Sequence, residues 1–263
     1  MDTPAARPIR TARRALAALP VAALGLALGA SAVAAAGKDA KPAASPAAEP
    51  TPALTWAPLV TPPPIVDPGP VTPAALADGY ALGAPDAPVT VEVWEDFQCP
   101  YCQRWGAEVK PLLTNAYILS GDVRLVFRTL SFLGEESRWA AVAADLAAEQ
   151  NRFWAFHDLL FANLNGENRG SYGLDRLLAM GEAAGLEMDA FRAGLVLDAA
   201  RARYAAIEQR ELMDAGRVGV DRTPTLVVNG VKLASPDWPS LEAAIEAALG
   251  GDAAPSPAAS PAG

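Results

Sequence analysis

Cys99 and Cys102, separated by Pro100 and Tyr101, are the two cysteines of a 263-residue chain. Sulfurs at this spacing can close a small disulfide ring, so the pair reads first as a redox-active dithiol. If a helix begins at Pro100, the Cys99 sulfur sits against backbone N–H groups that lack an intrahelical partner, and their dipoles favour its thiolate. Proline suits that first turn, because its missing N–H is not needed there and its fixed φ matches the helix. Other chemistry fits less well. A zinc site needs four ligands, and with no second Cys pair and a single distant histidine, His157, they could come only from a dimer or from carboxylates. A purely structural disulfide across so short a loop would remove little entropy from the unfolded chain. No metal and no other cofactor is expected.

The neighbouring sequence must hold the dithiol in place. Residues 89–94, Val-Thr-Val-Glu-Val-Trp, read as a strand running into the motif. A helix is expected over 103–116, bent at Pro111. After a turn at Gly121-Asp122, residues 123–128 form a second strand, and a single connecting helix implies a parallel pair with a right-handed crossover. From 135 to about 215 the apolar spacing turns helical, first through Trp139, Val142, Ala143 and Leu146, then through Phe153, Phe156, Leu159 and Leu160. Turns at Asn165-Gly166, Gly170 and Gly185 divide this block. Its aromatic residues read as core, and His157 as a helix-surface or satisfied packing residue. Residues 225–228 and 231–233 flank Asn229-Gly230, a strong hairpin signal. A last helix carries Leu241, Ala244, Ile245, Ala248 and Leu249 on one stripe, with Gly250 able to end it. The order is βαβ, a helical block, then ββα: one α/β domain over 75–250, long enough for a proper core.

The ends have a different composition. Arg7, Arg10, Arg13 and Arg14 precede an uncharged, Ala/Leu-rich run over 15–37, which marks 1–37 as an export signal peptide or an N-terminal membrane anchor. Residues 38–74 are Pro/Ala-rich and read as a disordered, semi-extended linker, and 251–263 as a disordered tail. Four Arg and one Asp in the first 36 residues contribute +3 to a net charge of −9, so the remainder carries −12. That acidic surface argues against nucleic acid and anionic lipid as partners and points to soluble proteins or small molecules. An extracytoplasmic location, secreted, periplasmic or membrane-attached, would place the dithiol where disulfides form and persist.

The element order, the dithiol at a helix start and Thr223-Pro224 opening the late strand resemble the thioredoxin fold. The closer resemblance is to its DsbA-like branch, whose members carry a helical insertion at this position. Three stretches carry it: Gly83-Ala84-Pro85-Asp86-Ala87-Pro88-Val89, Glu95-Asp96-Phe97-Gln98-Cys99-Pro100-Tyr101-Cys102, and Gly219-Val220-Asp221-Arg222-Thr223-Pro224-Thr225 with Asn229-Gly230. The resemblance covers the whole folded domain and implies a thiol:disulfide oxidoreductase. Its partners would be exported proteins with free thiols and a membrane reoxidant, and a monomer is expected. Cys99 should be the exposed, low-pKa sulfur and Cys102 the buried one. The family implies a cis bond before Pro224, facing the dithiol, with the backbone of Thr223 free to pair with an extended client. A disulfide reductase or isomerase, or a non-enzymatic redox-sensing peptide-binding module, are the alternatives.

Two departures from the family pattern concern tuning of the site, where Pro100, Tyr101 and Glu95 are the candidates. Members often place a buried acid six residues before the first cysteine, and that position is Val93 here. Glu92 and Glu95 flank it, and strand alternation is expected to turn both to the opposite side from Val93, leaving water or the near-dithiol Glu95 to substitute. Strongly oxidising relatives tend to have histidine between the cysteines. Tyr101 in its place implies a milder oxidant.

Overall fold

Residues Val89–Glu95, dominated by β-branched side chains, form a strand paired on both edges: parallel to Val123–Thr129 and antiparallel to Thr225–Val228. The computed structural model describes residues 64–69 and 72–250. In chain order the strands are β1 (Ala77–Asp78), β2 (Ala81–Leu82), β3 (Val89–Glu95), β4 (Val123–Thr129), β5 (Thr225–Val228) and β6 (Val231–Lys232), arranged β1-β2-β4-β3-β5-β6. The parallel pair β3–β4 and the antiparallel hairpin β5–β6 are those the sequence predicts. At the hairpin, Asn229 and Gly230 both have positive φ, which a tight two-residue turn requires. β1 and β2 are additional, and at two residues each they have no alternation to read. Gly83 follows β2 with φ +113, and a Cβ there would lie 2.5 Å from the Val123 carbonyl oxygen, so only glycine lets the chain pass this close to β4.

The connection from β3 to β4 is broken where expected. Helix α1 covers Pro100–Glu108, α2 covers Lys110–Leu113, and a π-turn follows at Thr114–Ile118. Pro111 has no N–H to offer the Ala107 carbonyl, so the helix cannot run on unbroken. The inserted block is α3 (Glu135–Glu149), α4 (Phe153–Ala162), α5 (Leu174–Ala183), α6 (Met188–Gly194) and α7 (Leu197–Val218). α7 ends at Gly219 in the left-handed conformation, and α8 (Trp238–Leu249) begins at Asp237, whose carboxylate accepts from the Ser240 N–H.

The two faces of the sheet are filled unequally. On one face Val89, Val91 and Val93 of β3 and Val123, Leu125 and Phe127 of β4 join the main core with Cys102 and Trp105 of α1, Leu241 and Ile245 of α8 and the aromatics of α4. On the other, Trp94, Val227, Ala215 and Val220 make a small separate cluster under α7.

The segments read as signal or anchor (1–37) and as tail (251–263) lie outside the described residues, as does most of the 38–74 linker. The part of that linker that is described makes hydrogen bonds to Asp158 and Asn163. The Val66 N–H donates to Asn163 Oδ1 and Asn163 Nδ2 donates back to the Val66 carbonyl, both at 2.8 Å. Thr72 donates to Asp158 Oδ2 at 2.6 Å. Among the described residues no helix is long and apolar enough to cross a membrane.

Candidate active site

The dithiol follows directly from β3. Asp96, fully buried after the strand, accepts hydrogen bonds from the Gln98 N–H (2.8 Å), Ser137 Oγ (2.6 Å), and the N–H groups of Phe132 (2.9 Å) and Leu133 (3.0 Å). It fixes the turn leading into the motif and joins it to the loop after β4. The Cys99 N–H donates to the Asp96 carbonyl at 2.9 Å, Cys99 is the N-cap of α1, and Pro100 occupies the first turn.

Both sulfurs are free thiols, the reduced form of the pair. A hydrogen bond from the Cys102 thiol lowers Cys99 most; burial opposes it, backbone N–H groups of Cys102 and Tyr101 assist, and the result is about 6. Burial pushes Cys102 far up, reinforced by its hydrogen bond to Cys99 and by the charge of Glu95. The acidities thus split as the sequence predicts, but the exposure does not. Cys99 is only 5% exposed and Cys102 not at all, so the nucleophilic sulfur is nearly covered rather than open. Its Sγ lies 3.5 Å from the Thr223 carbonyl oxygen, and the Thr223–Pro224 bond is cis, as the resemblance implies. Pro224 lines a groove with Arg222, Leu226 and Leu233. Tyr101 is 64% exposed, with the Arg104 guanidinium 5.9 Å from its ring centre.

Glu95 requires a correction. It lies two residues beyond Val93, so the period of a strand puts both on the same face, and only Glu92 turns away. Glu95 is completely buried, and its Oε2 lies 3.1 Å from Nε2 of His157. His157 is not on a helix surface: it is 1% exposed, enclosed by aromatic rings including Trp154 at 5.0 Å and Phe161 at 4.9 Å, with both ring nitrogens engaged. Nδ1 meets Asp158 Oδ1 at 2.9 Å, and Asp158 pairs with the buried Lys110. Burial raises Asp158, but the His157 hydrogen bond and the Lys110 charge outweigh it and hold the carboxyl well below the usual carboxylate range. The sequence did not connect these groups. The available signal was a His-Asp pair inside the apolar run 153–161, where a charged residue needs a buried partner.

A helix-capping sulfur poised to ionise, a second sulfur that resists ionisation, and a cis-proline segment beside them define a thiol:disulfide oxidoreductase of thioredoxin fold. Residues 76–247 match the family model described as Thioredoxin. The "Probable disulfide bond formation protein D" of Bacillus cereus is 31% identical over 173 residues, 64% of this chain and 78% of that protein. The crystal structure of oxidised BdbD from Bacillus subtilis superposes with a TM-score of 0.60 at 25% identity, covering 66% of this chain and 94% of that one. The Na(+)/H(+) antiporter NhaA 1 of Salinispora arenicola is 35% identical over 176 residues, but these are only 25% of its length. The chain belongs to the thioredoxin family, in its DsbA-like branch.

Proposed function

We propose that the protein works outside the cytoplasm in the oxidising direction, donating the Cys99–Cys102 disulfide to exported proteins with free thiols and being reoxidised by a membrane partner. A client thiolate attacks Cys99, Cys102 leaves, and a second client thiol resolves the mixed disulfide. Thr223 and Pro224 would hold the client as an added extended segment. The unequal acidity of the two sulfurs carries this reading. A thiolate stabilised at Cys99 favours the reduced protein, which makes its disulfide the better oxidant. The four arginines at the N-terminus and the uncharged run that follows them support the location, either as a cleaved signal or as a retained anchor.

The test is the reduction potential of the full chain, equilibrated with glutathione buffers. A value less negative than roughly −200 mV is expected and supports disulfide donation, whereas a more negative one, toward the roughly −270 mV of thioredoxin, reverses the direction. Cys99→Ser should abolish oxidation of a reduced, unfolded test protein. Full activity in that variant would overturn the assignment of the nucleophile, and an inactive wild type that still binds the test protein would favour a redox-sensing binding module.

A further inference from the structure

Four buried ionisable groups follow one another behind the dithiol: Glu95, His157, Asp158 and Lys110. They come from three elements, β3, α4 and α2. Among the described residues, the charged or titratable groups paired to His157 are Glu95 from β3 and, on its own helix, Asp158, with Lys110 of α2 reached through Asp158. The rings of Phe97, Phe127, Phe153, Trp154 and Phe161 pack around it. Each of the two nitrogen–oxygen contacts of His157 needs a hydrogen between its atoms, and a neutral imidazole supplies one. The second proton is not on Asp158, which already accepts from Lys110 and Thr72. It lies along the 3.1 Å line between His157 Nε2 and Glu95 Oε2, on one atom or the other.

Two further observations give that proton a destination and a source. Glu95 Oε1 is buried with no hydrogen-bond partner among the described residues, and the Glu95 charge acts on Cys102. An unpartnered buried carboxylate oxygen is a cost that packing alone does not explain. On the far side, His157 and Asp158 line a cavity of about 580 Å³ that reaches the exposed residues Pro68, Pro100 and Arg104.

We infer that His157 is a positioning residue that keeps a transferable proton on Glu95 for Cys102, and that the adjoining cavity restores it from solvent. The inference rests on the reading of Cys99 as nucleophile and Cys102 as leaving group. When a client thiolate attacks Cys99, the client–Cys99 bond forms and the Cys99–Cys102 bond breaks, with its electron pair leaving on Cys102. The proton shared by Glu95 and His157 passes to that sulfur. The client sulfur is oxidised, Cys102 is reduced to a neutral thiol, and the His157–Glu95 pair is one proton short until solvent replaces it. A buried sulfur that strongly resists ionisation thereby leaves without remaining an anion.

The experiment is single-turnover oxidation of a reduced cysteine peptide by the oxidised full chain across pH. The wild-type rate should rise as the peptide thiol ionises and then fall as the pair loses its proton. His157→Gln and Glu95→Gln should each be slower by on the order of a hundredfold and lose the alkaline fall, and the double variant should be no slower than either. A folded His157→Gln protein with the wild-type rate and profile overturns the inference. So does a uniform slowing with the profile unchanged, which marks damaged packing. Should the variants not fold, the wild-type plateau decides: a slower rate in heavy water supports proton transfer in the step, and an equal rate overturns it. Failure of the underlying reading looks different, because the wild type would then not oxidise the peptide, or Cys99→Ser would.

Discussion

Glu92 and Glu95 leave the same strand on opposite faces, and their surroundings have little in common. Glu92 meets Arg128 at 2.5 Å, with Asp214 of α7 3.9 Å from the same guanidinium, and all three side chains keep some contact with water. Glu95 has none, and its partner histidine sits in a cage of aromatic rings. An ion pair at a wet surface is optional, because either member alone is solvated. A charge in a dry core must be matched, so each group there makes the next one obligatory. The face that carries the dithiol is therefore the face on which charges are linked in series.

The largest effect separating the two faces is expected from Lys110→Met. It leaves Asp158 buried beside the histidine without its ammonium, and denaturant titration should show a loss of about 3–5 kcal/mol. A loss near zero would mean that water reaches the interior string as readily as the outer pair.

An intermediate effect belongs to Glu211 on α7. Burial raises its carboxyl to about 7, with the Asp96 charge adding to it, while hydrogen bonds from the Ser131 N–H and hydroxyl only partly offset the rise. The ordinary value is 4.5, so between 4.5 and 7 the folded protein holds a proton that the unfolded chain has released. Stability from this group therefore declines as pH rises through that window and stays lost above it. Glu211→Gln keeps an acceptor for Ser131 and removes the titration. It should be more stable than wild type by on the order of 2 kcal/mol at alkaline pH, the gain disappearing in acid, as thermal melts across pH would show. A pH-independent difference would mean that Glu211 is solvated like Glu92.

The smallest effect is expected from Arg128→Met on the wet face, no more than about 1 kcal/mol and shrinking as salt is added. If it equalled the Lys110 effect, the contrast between the faces would collapse.

These differences also mark where the sequence was readable. β3, β4, the dithiol at the start of α1, the Asn229-Gly230 hairpin and α8 all announce themselves through short-range pattern and turn chemistry. β1 and β2 do not, because two residues cannot show a period. The place of Glu95 was available in principle, since an interval of two from Val93 fixes its side. Its partner was not. Glu95 and His157 are 62 positions apart, and nothing local to residues 153–161 says which strand end that helix will cover. The lowering of Cys99 was legible because its largest cause, the hydrogen bond from Cys102, arises within one helical turn, whereas the rise of Cys102 comes first from burial in the packed core. The near-complete covering of Cys99 was not legible, since Thr223 arrives from 124 residues away.

Asp96 has a consequence for which proteins the site can serve. Four donors from the dithiol turn, the loop after β4 and α3 converge on its carboxylate, so the segment carrying the sulfurs and the loop beside it move as one body. A rigid host cannot adapt to its guest, and the conformational entropy surrendered at the encounter falls on the client. Chains that are still flexible have that freedom to give, and finished ones have already spent it. Under the proposed function, a client cysteine should therefore be oxidised while its chain is still flexible, a preference that one buried carboxylate builds into the site.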